Sequence, residues 1–164
     1  MTIRVGQGHD IHRFVAGRRL VLGGVQIPCE MGLLGHSDAD VLVHAVMDAL
    51  LGAMGQGDIG QWFPDTDPRY AGISSMKLLE QVMTEVRNRN FQVGNLDCQI
   101  FCERPRIAPH REAIRQSLAN ALAIPPELVN IKAGTFEQCD AVGRGEAMIC
   151  QAIVLLTALA FPSS

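Results

Sequence analysis

Three residues of the chain have types and spacings that suit metal chemistry. Asp10 and His12 are two residues apart, so in an extended segment their side chains lie on one face, with Cα atoms roughly 6.6 Å apart. His44 lies in an apolar segment, between Asp40 and Asp48 at four-residue intervals that place all three on one face of a helix. Two imidazoles and one carboxylate suit zinc, and three protein ligands leave a fourth position for water or substrate.

The spacing alone leaves a second interpretation of His44 open. A histidine on an apolar helix is more often a core residue with a satisfied hydrogen bond than a metal ligand, and Asp-x-His is a common pattern. A buried polar group needs a partner in either case. The sequence around these residues therefore has to decide between the two.

Glycine and proline divide the chain into segments of alternating type. Periodicity predicts strands at 3–8, 19–27, 92–103 and 129–133, and helices at 37–54, 74–90 and 109–123. Ser37 and Asp40 form a start like a capping box for the first helix, and 55–72 is expected to be a long loop. The glycines of the first strand suggest that its backbone approaches another element closely.

The last segment, 147–159, has apolar residues at both alternating positions. As a strand it would be buried on both faces, and a subunit interface could cover the second one. A short apolar run is also consistent with a buried helix. The alternation of segments along the chain predicts helices packed on one sheet, in a single domain spanning residues 1–164.

Composition indicates a globular protein and excludes several classes. The 164 residues are 48% apolar and 19% charged, which is enough chain to bury a core without disulfides. The net charge is −3 and no basic run alternates with aromatic residues, which argues against a nucleic-acid partner. The cysteines number five and form no Cys-x-x-Cys pair, so neither a disulfide framework nor an all-cysteine zinc site is indicated.

The N-terminal sequence has neither the apolar core of a signal peptide nor the character of a transit peptide. The longest apolar stretch, 152–161, is far shorter than the ~20 residues needed to cross a bilayer. A cytoplasmic protein with no membrane association is therefore expected.

A series of short motifs runs in order along nearly the whole chain. They are R-x-G-x-G-x-D-x-H at 4–12, G-L-L-G-H-S-D-x-D at 32–40 followed by His44, G-D-I-G at 57–60, F-P-D-T-D-P at 63–68, P-R at 105–106 and G-R-G-E at 143–146. This series resembles the 2-C-methyl-D-erythritol 2,4-cyclodiphosphate synthase family. The resemblance implies an α+β fold, with helices on one face of a mixed sheet, assembled as a homotrimer with active sites between neighbouring subunits.

The activity implied by the resemblance is that of a lyase in the non-mevalonate isoprenoid pathway. The substrate, 4-diphosphocytidyl-2-C-methyl-D-erythritol 2-phosphate, is cyclised when its own 2-phosphate oxygen attacks the β-phosphorus, and CMP leaves. Because every reacting group is anionic and the substrate is flexible, charge repulsion and conformational entropy are the main obstacles. No protein nucleophile is needed.

The resemblance also implies two cations. Asp10, His12 and His44 resemble zinc ligands, and Glu137 resembles the residue that helps to hold a second divalent ion, Mg²⁺ or Mn²⁺, on the diphosphate. Zinc would orient the β-phosphate as a Lewis acid, and the second ion would bridge α and β oxygens and stabilise the leaving CMP.

Substrate contacts are implied in two regions before the middle of the chain. His36 and Ser37, at the expected helix N-terminus, resemble phosphate-facing residues, although Ser37 could instead simply cap the helix. Asp65 resembles a residue that hydrogen-bonds the methylerythritol hydroxyls, on a loop acting as a lid. Asp58 and Gly60 resemble contacts to the cytidine ribose.

Two further regions are implied in the second half of the chain. The segment 102–108, which includes Arg106, resembles a pocket for cytosine and phosphate. Arg144 and Glu146 resemble charged residues beside the three-fold axis, where an apolar cavity can accept an isoprenoid diphosphate.

The stretch 134–141 departs from the family pattern. Thr135 is retained as a substrate contact, but Gly134 and Phe136 stand where the family usually has threonines. Ala141 stands where an aromatic residue would line the axial cavity, so with Asp140 beside it the rim is expected to be more polar and less filled.

Two other functions are open, of which the altered stretch motivates the second. One is a metal-dependent phosphohydrolase, in which metal-bound water attacks instead of the substrate's own phosphate. The other is a non-catalytic trimer that binds zinc and CDP.

Overall fold

The computed structural model describes residues 2–159, which contain seven strands. These are β1 (Ile3–Ala16), β2 (Leu20–Leu22), β3 (Val25–Ile27), β4 (Met31–Leu33), β5 (Phe91–Phe101), β6 (Val129–Gly134) and β7 (Ala147–Ala158). Strands β2 and β3 form a hairpin, and the others form one sheet in the order β4-β1-β7-β5-β6. Because β5 and β6 are parallel and the other neighbours antiparallel, the sheet is mixed, as predicted. The end of the apolar stretch 152–161 lies outside the described residues.

Five helices accompany the strands: α1 (Val41–Met54), α2 (Ile59–Trp62), α3 (Ser75–Asn88), α4 (Arg111–Leu122) and α5 (Asp140–Gly143). Helices α1, α3 and α4 pack on one face of the sheet, where alternate residues of β5 and β7 are buried. The predicted single-domain α+β architecture is confirmed. No helix within residues 2–159 is both long enough and apolar enough to cross a membrane.

The close approach predicted for the first strand occurs against helix α1. A Cβ atom on Gly6 would lie 1.9 Å from the carbonyl oxygen of Ala49, and one on Gly8 would lie 2.1 Å from that of Ala45. Only glycine therefore allows the α1 backbone to rest on β1 at these two positions. This contact sets the distance between the strand that carries Asp10 and the helix that carries His44.

The predicted boundaries of the first half need correction. Strand β1 continues through Asp10 and His12 to Ala16, because it pairs with β7 as far as Arg13 and with β4 from Phe14 to Ala16. The segment 19–27 is a hairpin and not one strand, since Gly23 and Gly24 both have positive φ (59° and 75°), as a two-residue hairpin turn requires. The loop 55–72 contains α2 and a short 3-10 turn.

Helix α1 begins at Val41, so the prediction that Ser37 starts and caps it was wrong. Asp40 is the N-cap, and its carboxylate accepts a hydrogen bond from the Val43 N–H at 3.1 Å. The Ser37 hydroxyl accepts from the Ala39 N–H at 3.1 Å, and Ala39 has a φ of 60°, which a continuing helix does not allow. His36 and Ser37 therefore lie in a turn that precedes the helix.

Asp40 also joins the hairpin to the helix. It accepts from the backbone N–H groups of Gly23 and Gly24 at 2.9 and 2.7 Å and is completely buried. Burial raises the pKa of Asp40 to about 6, while the hydrogen bonds from Gly24, Gly23 and Val43 act in the opposite direction.

We expect Asp40→Ala to lower the free energy of unfolding by about 2 kcal/mol, because it removes a helix cap and leaves a buried backbone donor without an acceptor. Chemical denaturation measures the change. Glu80→Ala, which removes an exposed carboxylate within α3, should change stability by less than about 0.5 kcal/mol. Equal midpoints for the Asp40 variant and the wild type would contradict the role given to this carboxylate.

The last segment is strand β7, which settles the choice between strand and helix. Met148, Cys150 and Ala152 are buried under the helices, whereas Gln151 and Ile153 on the opposite face are exposed. The apolar pattern predicted that both faces of β7 are buried. Within residues 2–159 nothing covers the face of β7 that carries Gln151 and Ile153.

Candidate metal centre and substrate pocket

Asp10, His12 and His44 meet where α1 crosses β1. Asp10 and His12 both point to the helix-covered face of β1, and His44 lies in the first turn of α1. Asp10 Oδ2 lies 2.9 Å from His12 Nε2 and 3.0 Å from His44 Nδ1, and the two ring nitrogens are 3.2 Å apart. The three side chains thus each offer one atom to a common point, as the sequence predicted.

The ring of His12 is held from its other side. His12 Nδ1 hydrogen-bonds the carbonyl oxygen of Leu34, which can only accept, so Nδ1 carries the proton. In the neutral ring the lone pair of Nε2 therefore faces Asp10 and His44, whereas in the protonated ring the Nε2–H donates to Asp10. Histidines that bind metals typically donate their other ring N–H to a backbone carbonyl or a carboxylate, which fixes the orientation of the ring.

The electrostatics of the centre favour a positive charge. Burial raises the pKa of Asp10, but hydrogen bonds and charges from His12 and His44 outweigh it and hold the pKa well below its ordinary value. Burial lowers the pKa of His12, and the hydrogen bond and charge of Asp10 outweigh that effect, so the pKa of His12 is raised. The Asp10 carboxylate favours a proton on the neighbouring histidine in this structure, and a bound cation would supply the same positive charge.

A cavity of about 420 Å³ opens beside this centre. It is lined by the two histidines of the cluster, His12 and His44, and by His36, Ser37, Gly60 and Asp65. An apolar wall completes it, formed by Met47, Ile59, Phe63, Tyr70 and Leu78. The segment between α1 and α3, which includes Asp65, supplies much of this wall.

Hydrogen bonds hold this segment against the rest of the chain. His36 Nε2 lies 3.0 Å from the Asp67 carbonyl oxygen, and Asp48 of α1 accepts from the Ile59 N–H at 2.8 Å. Asp58 caps α2 by accepting from the Gln61 N–H at 3.0 Å, and its side chain lies outside the residues that line the cavity.

Arg106 and Thr135 lie in a different depression, lined by 102–108 and the end of β6. Glu137 is beside it, because its carboxylate accepts from the Thr135 hydroxyl at 2.9 Å. Asp10 in β1 and Ile100 in β5 pair with opposite sides of Cys150 in β7, and β6 lies one strand further on. The end of β6 is thus about 14 Å from Asp10 across the sheet. The cavity beside the two histidines does not include Arg106 or Thr135, and the depression around Arg106 and Thr135 does not include His12 or His44.

Arg144 and Glu146 form an exposed ion pair in the turn between α5 and β7, with Arg144 Nε 2.7 Å from Glu146 Oε1. Asp140 and Ala141 lie in α5 just before this pair.

Several residues of the site were not predicted from the sequence. The apolar residues Phe63 and Tyr70 pack edge to face at 5.4 Å between ring centroids and line the cavity. Asp38 and Ser75 contact each other and lie behind His44. Asp38 was visible as part of the H-S-D-x-D motif, but Ser75 has only the signal of a serine at a predicted helix start.

Comparison with known proteins gives the class of this chain. The model of the YgbB family matches residues 3–157. The chain belongs to the YgbB family.

Relatives in this family carry a more specific name. The chain is 56% identical over 154 residues to the 2-C-methyl-D-erythritol 2,4-cyclodiphosphate synthase of Desulfitobacterium hafniense, covering 94% of this chain and 98% of the relative. It is 53% identical over 156 residues to the synthase of the same name from Acaryochloris marina, covering 95% and 97%. The resemblance seen in the motifs is confirmed.

Solved structures agree with this assignment. The bifunctional IspDF of Campylobacter jejuni superposes with a TM-score of 0.93 at 39% identity, over 96% of this chain and 43% of that one. A 2C-methyl-D-erythritol-2,4-cyclodiphosphate synthase in a CDP-bound form gives a TM-score of 0.87 at 39% identity, over 94% and 100%. The CDP complex of Plasmodium falciparum IspF gives 0.85 at 32% identity, over 96% and 97%.

Proposed function

We propose that this protein converts 4-diphosphocytidyl-2-C-methyl-D-erythritol 2-phosphate to 2-C-methyl-D-erythritol 2,4-cyclodiphosphate and CMP. The observation that carries the proposal is the cluster of Asp10, His12 and His44, whose two histidines line a cavity, in a chain more than half identical to synthases of that name. A phosphohydrolase or a non-catalytic binding protein is not favoured, because these relatives share nearly the whole chain.

The chemistry of the donor set fits zinc. Asp10 Oδ2, His12 Nε2 and His44 Nδ1 converge, and two imidazoles with one carboxylate are a ligand set of catalytic zinc sites. When bound, zinc supplies Lewis-acid stabilisation of phosphate charge. Glu137 would hold the second divalent cation, Mg²⁺ or Mn²⁺, since its carboxylate is exposed and such ions prefer oxygen ligands.

The residues of the cavity bind and orient the methylerythritol part of the substrate. Asp65 accepts hydrogen bonds from its hydroxyls, and His36 and Ser37 face its phosphates. The apolar wall that includes Phe63 and Tyr70 excludes water from the reacting phosphates. The substrate's own phosphate oxygen attacks, so these side chains orient the substrate and do not supply a nucleophile.

The nucleotide is held by a second group of residues. Asp58 and Gly60 contact the ribose, and the segment 102–108 with Arg106 receives cytosine and phosphate. The Thr135 hydroxyl, which donates to Glu137 in this structure, would donate instead to a phosphate oxygen once Glu137 holds the cation. Relatives of this chain have been solved with CDP, which supports a cytidine diphosphate as the ligand class.

We propose a homotrimer in the cytoplasm, with each active site between two copies. The zinc ligands and the pocket of Arg106 and Thr135 lie on different parts of one chain, so a neighbouring copy would complete each site. The uncovered face of the sheet supports an interface there, because Val5, Ile11 and Ile153 expose apolar side chains on it. We expect the protein to bind neither nucleic acid nor a membrane.

Cyclisation and hydrolysis differ in the origin of one oxygen atom. In ¹⁸O-labelled water, cyclisation incorporates no label into the phosphorylated products, whereas attack by metal-bound water places one labelled oxygen in them. Mass spectrometry of the products distinguishes the two reactions. Tight CDP binding without any product would instead indicate the non-catalytic trimer.

Gly134→Thr is expected to raise kcat by about tenfold. A Cβ at Gly134 would have no atom closer than Gln99 Nε2 at 3.7 Å, so the position accepts a side chain without a clash at its Cβ. The new hydroxyl could donate to a substrate phosphate, and a hydrogen bond to a charged group contributes about 1.5–3 kcal/mol. Steady-state CMP release measures the change. Gly134→Val is the matched control, and an equal increase in kcat with valine would show that the hydroxyl is not the cause.

Arg144 and Glu146 are proposed to lie beside the three-fold axis and to bind an isoprenoid diphosphate there. An isoprenoid diphosphate at 100 times its Kd should stabilise the wild type by about 2.7 kcal/mol, and Arg144→Ala should lose most of this effect. Thermal denaturation with geranyl diphosphate measures it, and inorganic diphosphate controls for simple anion binding. A full shift in the variant would exclude Arg144 as the anion-binding residue.

A further inference from the structure

A chain of hydrogen bonds leads from His44 away from the metal ligands. His44 Nε2 lies 2.9 Å from the Ser75 hydroxyl oxygen and 3.1 Å from that of Ser37. Ser75 is completely buried at the start of α3. Its hydroxyl donates to Asp38 Oδ1 at 2.5 Å, and its backbone N–H donates to Asp38 Oδ2 at 3.0 Å.

The Asp38 carboxylate determines which atoms donate and which accept in this series of hydrogen bonds. An ionised carboxylate only accepts hydrogen bonds, so the hydroxyl proton of Ser75 is committed to Asp38. The Ser75 oxygen can then only accept from His44, which requires the proton of the His44 ring to be on Nε2. His44 Nδ1 is left with a lone pair, 3.0 Å from Asp10 Oδ2.

Capping of α3 does not account for the whole arrangement. The bond from the Ser75 N–H to Asp38 satisfies one donor at the helix start, and Ser74, the N-cap residue, makes no side-chain cap bond. The hydroxyl bonds from His44 to Ser75 and from Ser75 to Asp38 add nothing to the cap. They do fix the ring of a metal-ligand candidate.

We propose that Asp38 and Ser75 are positioning residues, which hold His44 as its Nε2–H tautomer so that Nδ1 is free to bind the metal. This inference rests on the proposed metal site. Ser37 cannot replace Ser75 in this role, because its hydroxyl has no carboxylate partner and can either donate to His44 or accept from it. Partners behind metal-binding histidines commonly affect metal affinity 10- to 100-fold.

The tautomer can be measured directly in the metal-free protein. Long-range ¹H–¹⁵N NMR of the labelled histidines at alkaline pH, where the rings are neutral, distinguishes protonation at Nε2 from protonation at Nδ1. We expect His44 of the wild type to be the Nε2–H tautomer. Finding it as the Nδ1–H tautomer would overturn the proposal without any variant.

Variants then connect the tautomer to metal affinity. Ser75→Ala removes the directed acceptor, and Asp38→Asn offers a donor as well as an acceptor, so both should yield a mixture of His44 tautomers. Both should also weaken zinc binding 10- to 100-fold in competition with a chromophoric chelator. Ser74→Ala, the adjacent serine that does not contact His44, should match the wild type in both measurements.

The possible results distinguish the positioning of His44 from the proposed metal site on which it rests. Folded Ser75→Ala and Asp38→Asn variants that keep the Nε2–H tautomer and wild-type zinc affinity would overturn it. If a variant does not fold, the wild-type tautomer remains decisive. A wild type with the Nε2–H tautomer but no affinity for zinc would contradict the metal site and leave the positioning of His44 intact.

Discussion

Replacing His44 with alanine is expected to lower synthase activity by on the order of 10³-fold or more while the protein remains folded. The substitution removes one of three converging ligands, so Asp10 and His12 alone would hold zinc weakly. Lewis-acid stabilisation of phosphate charge is worth several kcal/mol, and each 1.36 kcal/mol corresponds to a factor of ten in rate.

The measurement combines product formation with zinc content and a folding control. CMP and cyclodiphosphate release should fall together with the bound zinc, while circular dichroism and sedimentation match the wild type. His110→Ala removes a histidine that lies outside the cavity and should retain full activity. Substantial turnover by a zinc-free His44→Ala protein would show that this cluster is not the catalytic centre.

Gly8→Ala is expected to reduce the free energy of unfolding by at least about 3 kcal/mol. The new methyl group would lie 2.1 Å from the Ala45 carbonyl oxygen and 2.7 Å from the Ala49 nitrogen, both in the backbone of α1. Side chains cannot relieve such a contact, so the helix must move away from β1, at the upper end of the cost of overpacking or beyond it. Because His44 precedes Ala45, zinc affinity should fall as well.

The same substitution at another strand glycine provides the control. Gly134→Ala has no atom closer than 3.7 Å to its new Cβ, so the change should be neutral or stabilise by up to about 1 kcal/mol. Denaturant titration of both variants and zinc titration of Gly8→Ala give the comparison. A Gly8→Ala protein as stable as Gly134→Ala would mean that α1 does not rest on β1 as described.

Part of the geometry of the candidate metal ligands was predictable from local spacing, although the spacing left a core role for His44 open and only the motif resemblance decided for zinc. Residues two apart in a strand share a face, which placed Asp10 beside His12. His44 could be recognised as a polar residue in an otherwise buried helix, which needs a partner. The glycines of β1 likewise predicted a close contact, although not that its partner is α1.

Other features depend on contacts that are distant in the sequence. Helix α1 begins at Val41 because Asp40 accepts from the hairpin glycines as well as from the helix, whereas the local pattern also allowed Ser37 as the cap. Ser75 reaches His44 only because α3 packs beside α1. The separation of Asp10 from Thr135 follows from strand order, which periodicity does not provide.

The most direct test of the proposed reaction is phosphorus NMR of the products. Purified protein with zinc and magnesium is incubated with 4-diphosphocytidyl-2-C-methyl-D-erythritol 2-phosphate, and the spectrum is followed over time. We predict the appearance of cyclodiphosphate and CMP in equal amounts, with no inorganic phosphate. Folded, zinc-loaded protein that binds CDP but forms no cyclodiphosphate would contradict the proposed function.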